Sequence, residues 1–195
     1  MTSEEEKRGI LENVKAGVVS AIKGVGDVAQ AVVDTVSGTL VTALKGVGEV
    51  TGAATEVIFD TVRGVIQGAA EVGEDLTKAS KGIVVGVIRA TKETGTEALG
   101  AISATAGAVV KSTSEVGGDV AGAARGAVEG AIEGAREVGL SAEEAASAAA
   151  SGAVEAAGSL GGTVVEQVRN AVTGTISGVK VILREPFKGE DAEKK

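Results

Sequence analysis

Rows of 22 residues beginning at Lys23, Lys45, Gln67, Arg89, Lys111, Glu133, Glu155 and Ser177 follow one another without insertion or deletion, and Ile10 to Ile22 fits the second half of a row before them. No other feature of the chain constrains its fold as much. Each row closes on a branched apolar residue: Ile22, Leu44, Ile66, Ile88, Val110, Ile132, Val154 and Ile176. The sixth column reads Val28, Val50, Val72, Thr94, Val116, Val138, Leu160 and Ile182, while the fifth is acidic from Asp27 through Glu137. Apolar columns recur at steps of three and four, roughly 3.67 residues per turn, which predicts an α-helix of undecad stride. The alternation by two that a strand needs is absent from the repeat.

On a helical wheel the apolar columns cover an arc about 130° wide, with the charged columns roughly opposite. A second set of columns is small. The second column holds Gly24, Gly46, Gly68, Gly134 and Gly178, and the twentieth holds Gly64, Gly86, Gly130, Gly152 and Gly174. The seam is sharpest at Gly118, Gly122, Gly126, Gly130 and Gly134, whose spacing by four lets two helix backbones approach closely. Lys23 with Asp27, Lys45 with Glu49, Arg89 with Glu93 and Lys111 with Glu115 read as i,i+4 pairs on a solvated face.

The expected architecture is therefore all-α: one long amphipathic helix, continuous or folded back once or twice, built on 11- and 22-residue repeats. Residues 1–9 form an acidic cap with a capping-box start at Ser3 and Glu6, residues 10–178 the repeat region, and residues 179–195 a C-terminal apolar turn or strand, VKVILREPF, with a charged tail. The register passes unbroken through Gly117-Gly118, Gly161-Gly162 and Gly139-Leu140-Ser141, which favours a continuous helix. The best candidate hinge is 139–141, where Ser141 and Glu144 repeat the capping-box spacing after a glycine.

Composition narrows the function. With 30 Gly, two Phe and no Trp, Tyr, His or Cys, the chain has no aromatic core, disulfide framework, ordinary zinc, haem or iron–sulfur site, or His-based nucleophilic triad. Its carboxylates lack an apolar pocket that would tune them for acid–base work. A net charge of −8 and the lack of aromatic stacking groups argue against nucleic acid. Neither a secretory signal nor an uncharged run of about 20 residues is visible, so the expected setting is cytoplasmic, with a peripheral position on a membrane or granule as the extension of that reading. Neither a cofactor, a metal, a small-molecule substrate nor an enzymatic activity is expected.

The rows KSTSEV at 111–116 and ATKETG at 90–95, set among Val, Ala, Gly and Thr at multiples of 11, resemble the imperfect undecads of synucleins and, more loosely, of perilipins and exchangeable apolipoproteins. That resemblance is one of pattern over residues 10–180, and it implies a chain that is disordered in solution and becomes helical on a lipid surface. The chain departs from synucleins in being lysine-poor and acidic.

Glycine inside a helix costs about 1 kcal/mol relative to Ala, so a helix this rich in it needs a surface against which to bury its stripe. The first expectation is a coat on a membrane, lipid droplet or granule, carried by Ile22, Val28, Leu44, Val50, Ile66, Val72, Ile88, Val110, Val116, Ile132, Val138, Val154 and Ile176. The alternative is a self-assembling helical scaffold, coiled coil or bundle, packed through the Gly/Ala seam. The partner is thus a lipid surface, another copy of the chain, or both.

Overall fold

The computed structural model describes residues 3–25, 27–45 and 51–184. Eight α-helices follow one another: α1 (Ser3–Val25), α2 (Val28–Leu44), α3 (Gly52–Glu71), α4 (Leu76–Thr94), α5 (Ala98–Glu115), α6 (Val120–Val138), α7 (Ala142–Gly158) and α8 (Gly162–Val172). Two short strands, β1 (Gly174–Ile176) and β2 (Val179–Val181), close the described chain. The all-α expectation holds. The single long helix does not, because the chain turns back after each helix.

A residue column that the apolar pattern conceals makes those turns. Gly73, Gly95, Gly117, Gly139 and Gly161 stand 22 residues apart, and each has a positive φ, 74° at Gly73 and 80° at Gly139. That left-handed conformation costs glycine nothing and ends a helix. The next amide then satisfies a carbonyl five residues back: Glu74 N donates to Ala69 O at 2.9 Å, Gly118 N to Thr113 O at 2.9 Å and Leu140 N to Ala135 O at 2.8 Å. Two residues beyond the first four of these glycines, a side chain caps the next helix. Asp75 accepts from Thr77 N at 2.8 Å, Glu97 from Gly100 N at 2.6 Å, Asp119 from Gly122 N at 3.0 Å and Ser141 from Glu144 N at 3.3 Å.

The expected hinge at 139–141 is thus a full turn, as are Gly117-Gly118 and Gly161-Gly162. Each row contains one helix and one turn of constant length, so folding back leaves the register undisturbed. Twenty-two residues fit six turns of helix equally well, which is why phase alone favoured a continuous helix.

Each helix packs most extensively on the helix two places away and next on its immediate neighbour. Two layers result: α1, α3, α5 and α7 in one, α2, α4, α6 and α8 in the other, with successive helices antiparallel. The core lies between the layers as one continuous cluster, from Val18, Val32, Leu40 and Ile58 through Ile83, Ile102 and Ile132 to Ala149, Ala153 and Val172.

Within 179–195, the strand reading holds for β2. It pairs antiparallel with β1, Ile176 opposite Val179, through a two-residue turn at Ser177 and Gly178, both with positive φ. The capping-box side chains of Ser3 and Glu6, along with Val50, Pro186 and Phe187, lie outside the described residues.

Candidate interaction surface

Most of the stripe assigned to an outer surface lies inside the molecule. Ile22, Leu44, Ile66, Ile88, Val110, Ile132 and Ile176 are buried, and Val28, Val72, Val116, Val138 and Val154 are half-buried against the same core. The reason is geometric. An apolar arc about 130° wide can be shared by two layers of antiparallel helices, so the chain supplies the burial that an isolated helix would need from lipid. Among the described residues the only exposed large hydrophobic side chains are Leu140 and Ile182.

The small-residue seam is consumed in the same way. Gly118, Gly122, Gly126, Gly130 and Gly134 all face the α4 side of the stack. A methyl group on Gly126 would run into the Thr77 carbonyl, and one on Gly130 into the Lys81 carbonyl. On Gly134 it would stand 2.8 Å from Ile88 Cδ1, and on Gly118 2.5 Å from Leu76 Cδ1, whereas at Gly122 its neighbours are the Asp119 carboxylate and Thr77 Oγ1. The close backbone approach expected of these glycines is present, within one chain.

Counting from the capping residue exposes a modular rule. In α6, Gly126 and Gly130 stand seven and eleven residues beyond Asp119, over the carbonyls of the residues two and six beyond Asp75 in α4. In α4, Gly82 and Gly86 stand seven and eleven beyond Asp75, over the carbonyls of Ala29 and Val33, two and six beyond Asp27 in α2. The other layer keeps the second contact, with Gly152, eleven beyond Ser141, over the carbonyl of Ser103, six beyond Glu97. Each helix therefore has a leading edge of glycine and a trailing edge of carbonyls.

Charges follow the same direction. Lys15 Nζ lies 2.6 Å from Glu71, Arg63 Nε 2.9 Å from Glu115, Lys81 Nζ 2.6 Å from Glu133 and Arg89 Nη2 2.9 Å from Glu137, in each case a base on one helix and an acid on the helix two places on. Arg89 and Glu115 had been paired in sequence with Glu93 and Lys111 on their own helices; the fold gives them partners across the layer instead. The Lys15–Glu71 hydrogen bond holds the Glu71 carboxyl below its ordinary value and raises the Lys15 ammonium above its own.

The two ends of the stack differ. At the C-terminal end, β2 packs on α7, with Ile176, Val179 and Val181 buried. The Arg184 amide donates to Ser151 Oγ at 3.0 Å, the Arg184 guanidinium lies 3.8 Å from Glu144, and Arg136 donates to the Ser177 carbonyl at 3.1 Å. Ser151 is ten residues beyond its cap, the place that Val85 holds in α4 where it meets Gly134 of the following helix. The hairpin thus covers the trailing edge of α7. At the other end, Gly38 stands eleven beyond Asp27, the same place as Gly86, Gly130 and Gly152, and a methyl group on it would meet nothing within 4 Å.

Open depressions are shallow. One of about 390 Å³ crosses α3, α5 and α7 between Phe59 and Glu155, and one of about 290 Å³ lies under Leu140 beside Thr91 and Thr96. Among the described residues no cluster of three acidic side chains is placed to hold a metal ion, and no helix is long and apolar enough to cross a membrane.

No protein-family model matches the chain, and no curated protein matches it either. Among solved structures, the crystal structure of the de novo designed helical repeat protein DHR7 is similar over 87% of this chain and 92% of that one, at 19% identity and a TM-score of 0.49. The glycine turns and their caps could have been found in the sequence as the columns Gly73 to Gly161 and Asp75 to Ser141; the hairpin's seat on α7 had no such signal.

Proposed function

We propose that this protein is a non-enzymatic helical scaffold that self-assembles, its stripe and glycine seam serving to pack helix on helix. The observation that carries this reading is the seating of glycine on backbone carbonyl, repeated from α2–α4 to α5–α7. It is a device for holding helices together, and it leaves the surface to charged and small side chains. Coating a lipid would require the stripe to leave the core, at a cost of about 1.5 to 3 kcal/mol for each large side chain withdrawn.

Sedimentation at several concentrations, run beside vesicle flotation and circular dichroism, separates the two roles. The scaffold gives a helical, lipid-free protein whose mass grows with concentration and whose helicity is unchanged by vesicles. Helicity that appears only with vesicles would replace it with the lipid coat.

A further inference from the structure

The scaffold reading leaves open which surface joins one copy to the next, and on that reading the asymmetry between the ends of the stack is informative. In α4, α6 and α7 the glycine eleven residues beyond the cap is covered by the helix two places earlier. In α2 the equivalent residue, Gly38, is exposed and meets nothing, because no helix precedes α2 in its layer. A mid-helix glycine weakens the helix that carries it, and at Gly38 the monomer gains no close approach in return. The edge of α2 is thus a direct continuation of the interface that joins α2, α4, α6 and α8.

Its charges are self-complementary. Asp34 lies one turn before Gly38, exposed and hydrogen-bonded to Gln30 Nε2 at 2.8 Å. Thr42, one turn after Gly38, and Lys45, near the end of α2, are exposed on the same side. Two such edges laid antiparallel with Gly38 at the crossing place the acid of each copy beside Thr42 of the other, within reach of the other's Lys45. The opposite end of the molecule is covered by the hairpin and Arg184 along α7, which disfavours head-to-tail addition and leaves edge-to-edge pairing.

We infer that a second copy of this chain docks on the α2 edge, α2 against α2 across a two-fold axis, with Gly38 at the crossing and Asp34 of each copy facing Thr42 and Lys45 of the other. Such an interface is isologous and closes at a dimer.

The test uses the full chain in analytical ultracentrifugation over a wide concentration range. Wild type should pass from monomer to dimer and stop there. Gly38→Leu meets no obstacle in the monomer, so it should keep its helicity and melting temperature while its dimer dissociation constant rises at least tenfold. Lys45→Glu should weaken the dimer similarly, and Asp34→Lys combined with Lys45→Glu should restore it. Association that Gly38→Leu and Lys45→Glu leave unchanged, or growth beyond the dimer, overturns this surface while the scaffold survives by another one. A wild type that stays monomeric up to its solubility limit overturns both.

Discussion

The contact of α2 with α4 and the contact of α5 with α7 occupy equivalent places in the two layers and are filled by different side chains. In the first, α2 buries Val32, Val33, Val36, Leu40 and Leu44 beside Gly82 and Gly86 of α4. In the second, α7 buries Ala145, Ala146, Ala149, Ala150, Ala153, Ala156 and Ala157 around a single seam glycine, Gly152. Both seat a glycine on the carbonyl six residues beyond the earlier helix's cap. The backbone contact is therefore the constant, and the side chains around it set how the helix is stabilised. Valine-rich α2 depends on tertiary burial, whereas alanine-rich α7 depends more on helix propensity and on how closely its neighbours approach.

The largest expected effect comes from blocking that constant. Gly152→Val drives a branched side chain into the Ser103 carbonyl, part of a helix backbone that cannot yield locally, and should cost about 3 kcal/mol in denaturant unfolding. Gly86→Val should cost less, since a methyl group there stands 2.9 Å from the Val33 carbonyl. Equal tolerance of both substitutions would remove the seam from the account.

Next come the side chains that differ. Leu40, fully buried in α2, should lose about 2 to 5 kcal/mol on truncation to Ala. Ala150→Gly in α7 removes one methyl group and some helix propensity, so it should cost about 1 kcal/mol or slightly more. If the two losses are equal in urea titrations, the regions do not differ as described. A smaller effect of opposite sign is expected at Gly38: Gly38→Ala should stabilise the dilute monomer by up to about 1 kcal/mol, although the same helix position in α4 and α7 cannot take a side chain.

Much of this was legible in the sequence. The all-α class, the apolar columns ending at Ile66, Ile88 and Ile132, and the close approach at Gly126 and Gly130 all follow from spacing. What spacing could not decide was whether 22 residues are six turns of helix or a helix and its turn, because both preserve phase. The deciding residues, Gly73 through Gly161 with Asp75 through Ser141, occupy columns that an amphipathic wheel treats as merely small or solvated. The partner of the stripe was missed for the same reason: a wheel shows which face is apolar but not what lies against it.

The weakest expected effect concerns pH. Glu71 titrates below its ordinary value of 4.5 because Lys15 donates a hydrogen bond to it and lies beside it as a cation. Its contribution is therefore present above pH 4.5 and is lost as pH falls through the lowered value. Lys15 is raised above 10.5, so its contribution is complete below that pH and is lost as pH rises through the raised value. Both groups are exposed, so Glu71→Gln should only slightly flatten the acid limb of a melting-temperature profile; a profile that keeps the wild-type acid slope would place that slope elsewhere.

The central claim is that helices two rows apart lie side by side. The chain has no cysteine, so Lys81→Cys with Glu133→Cys introduces a single pair of spin labels. The native side chains of these residues lie 2.6 Å apart across α4 and α6. Electron double-resonance of the dilute, lipid-free protein should give a distance no greater than about two helix diameters, roughly 20 Å. A continuous helix would separate the same labels by 52 residues, roughly 78 Å, and a distance of that size would contradict the two-layer stack.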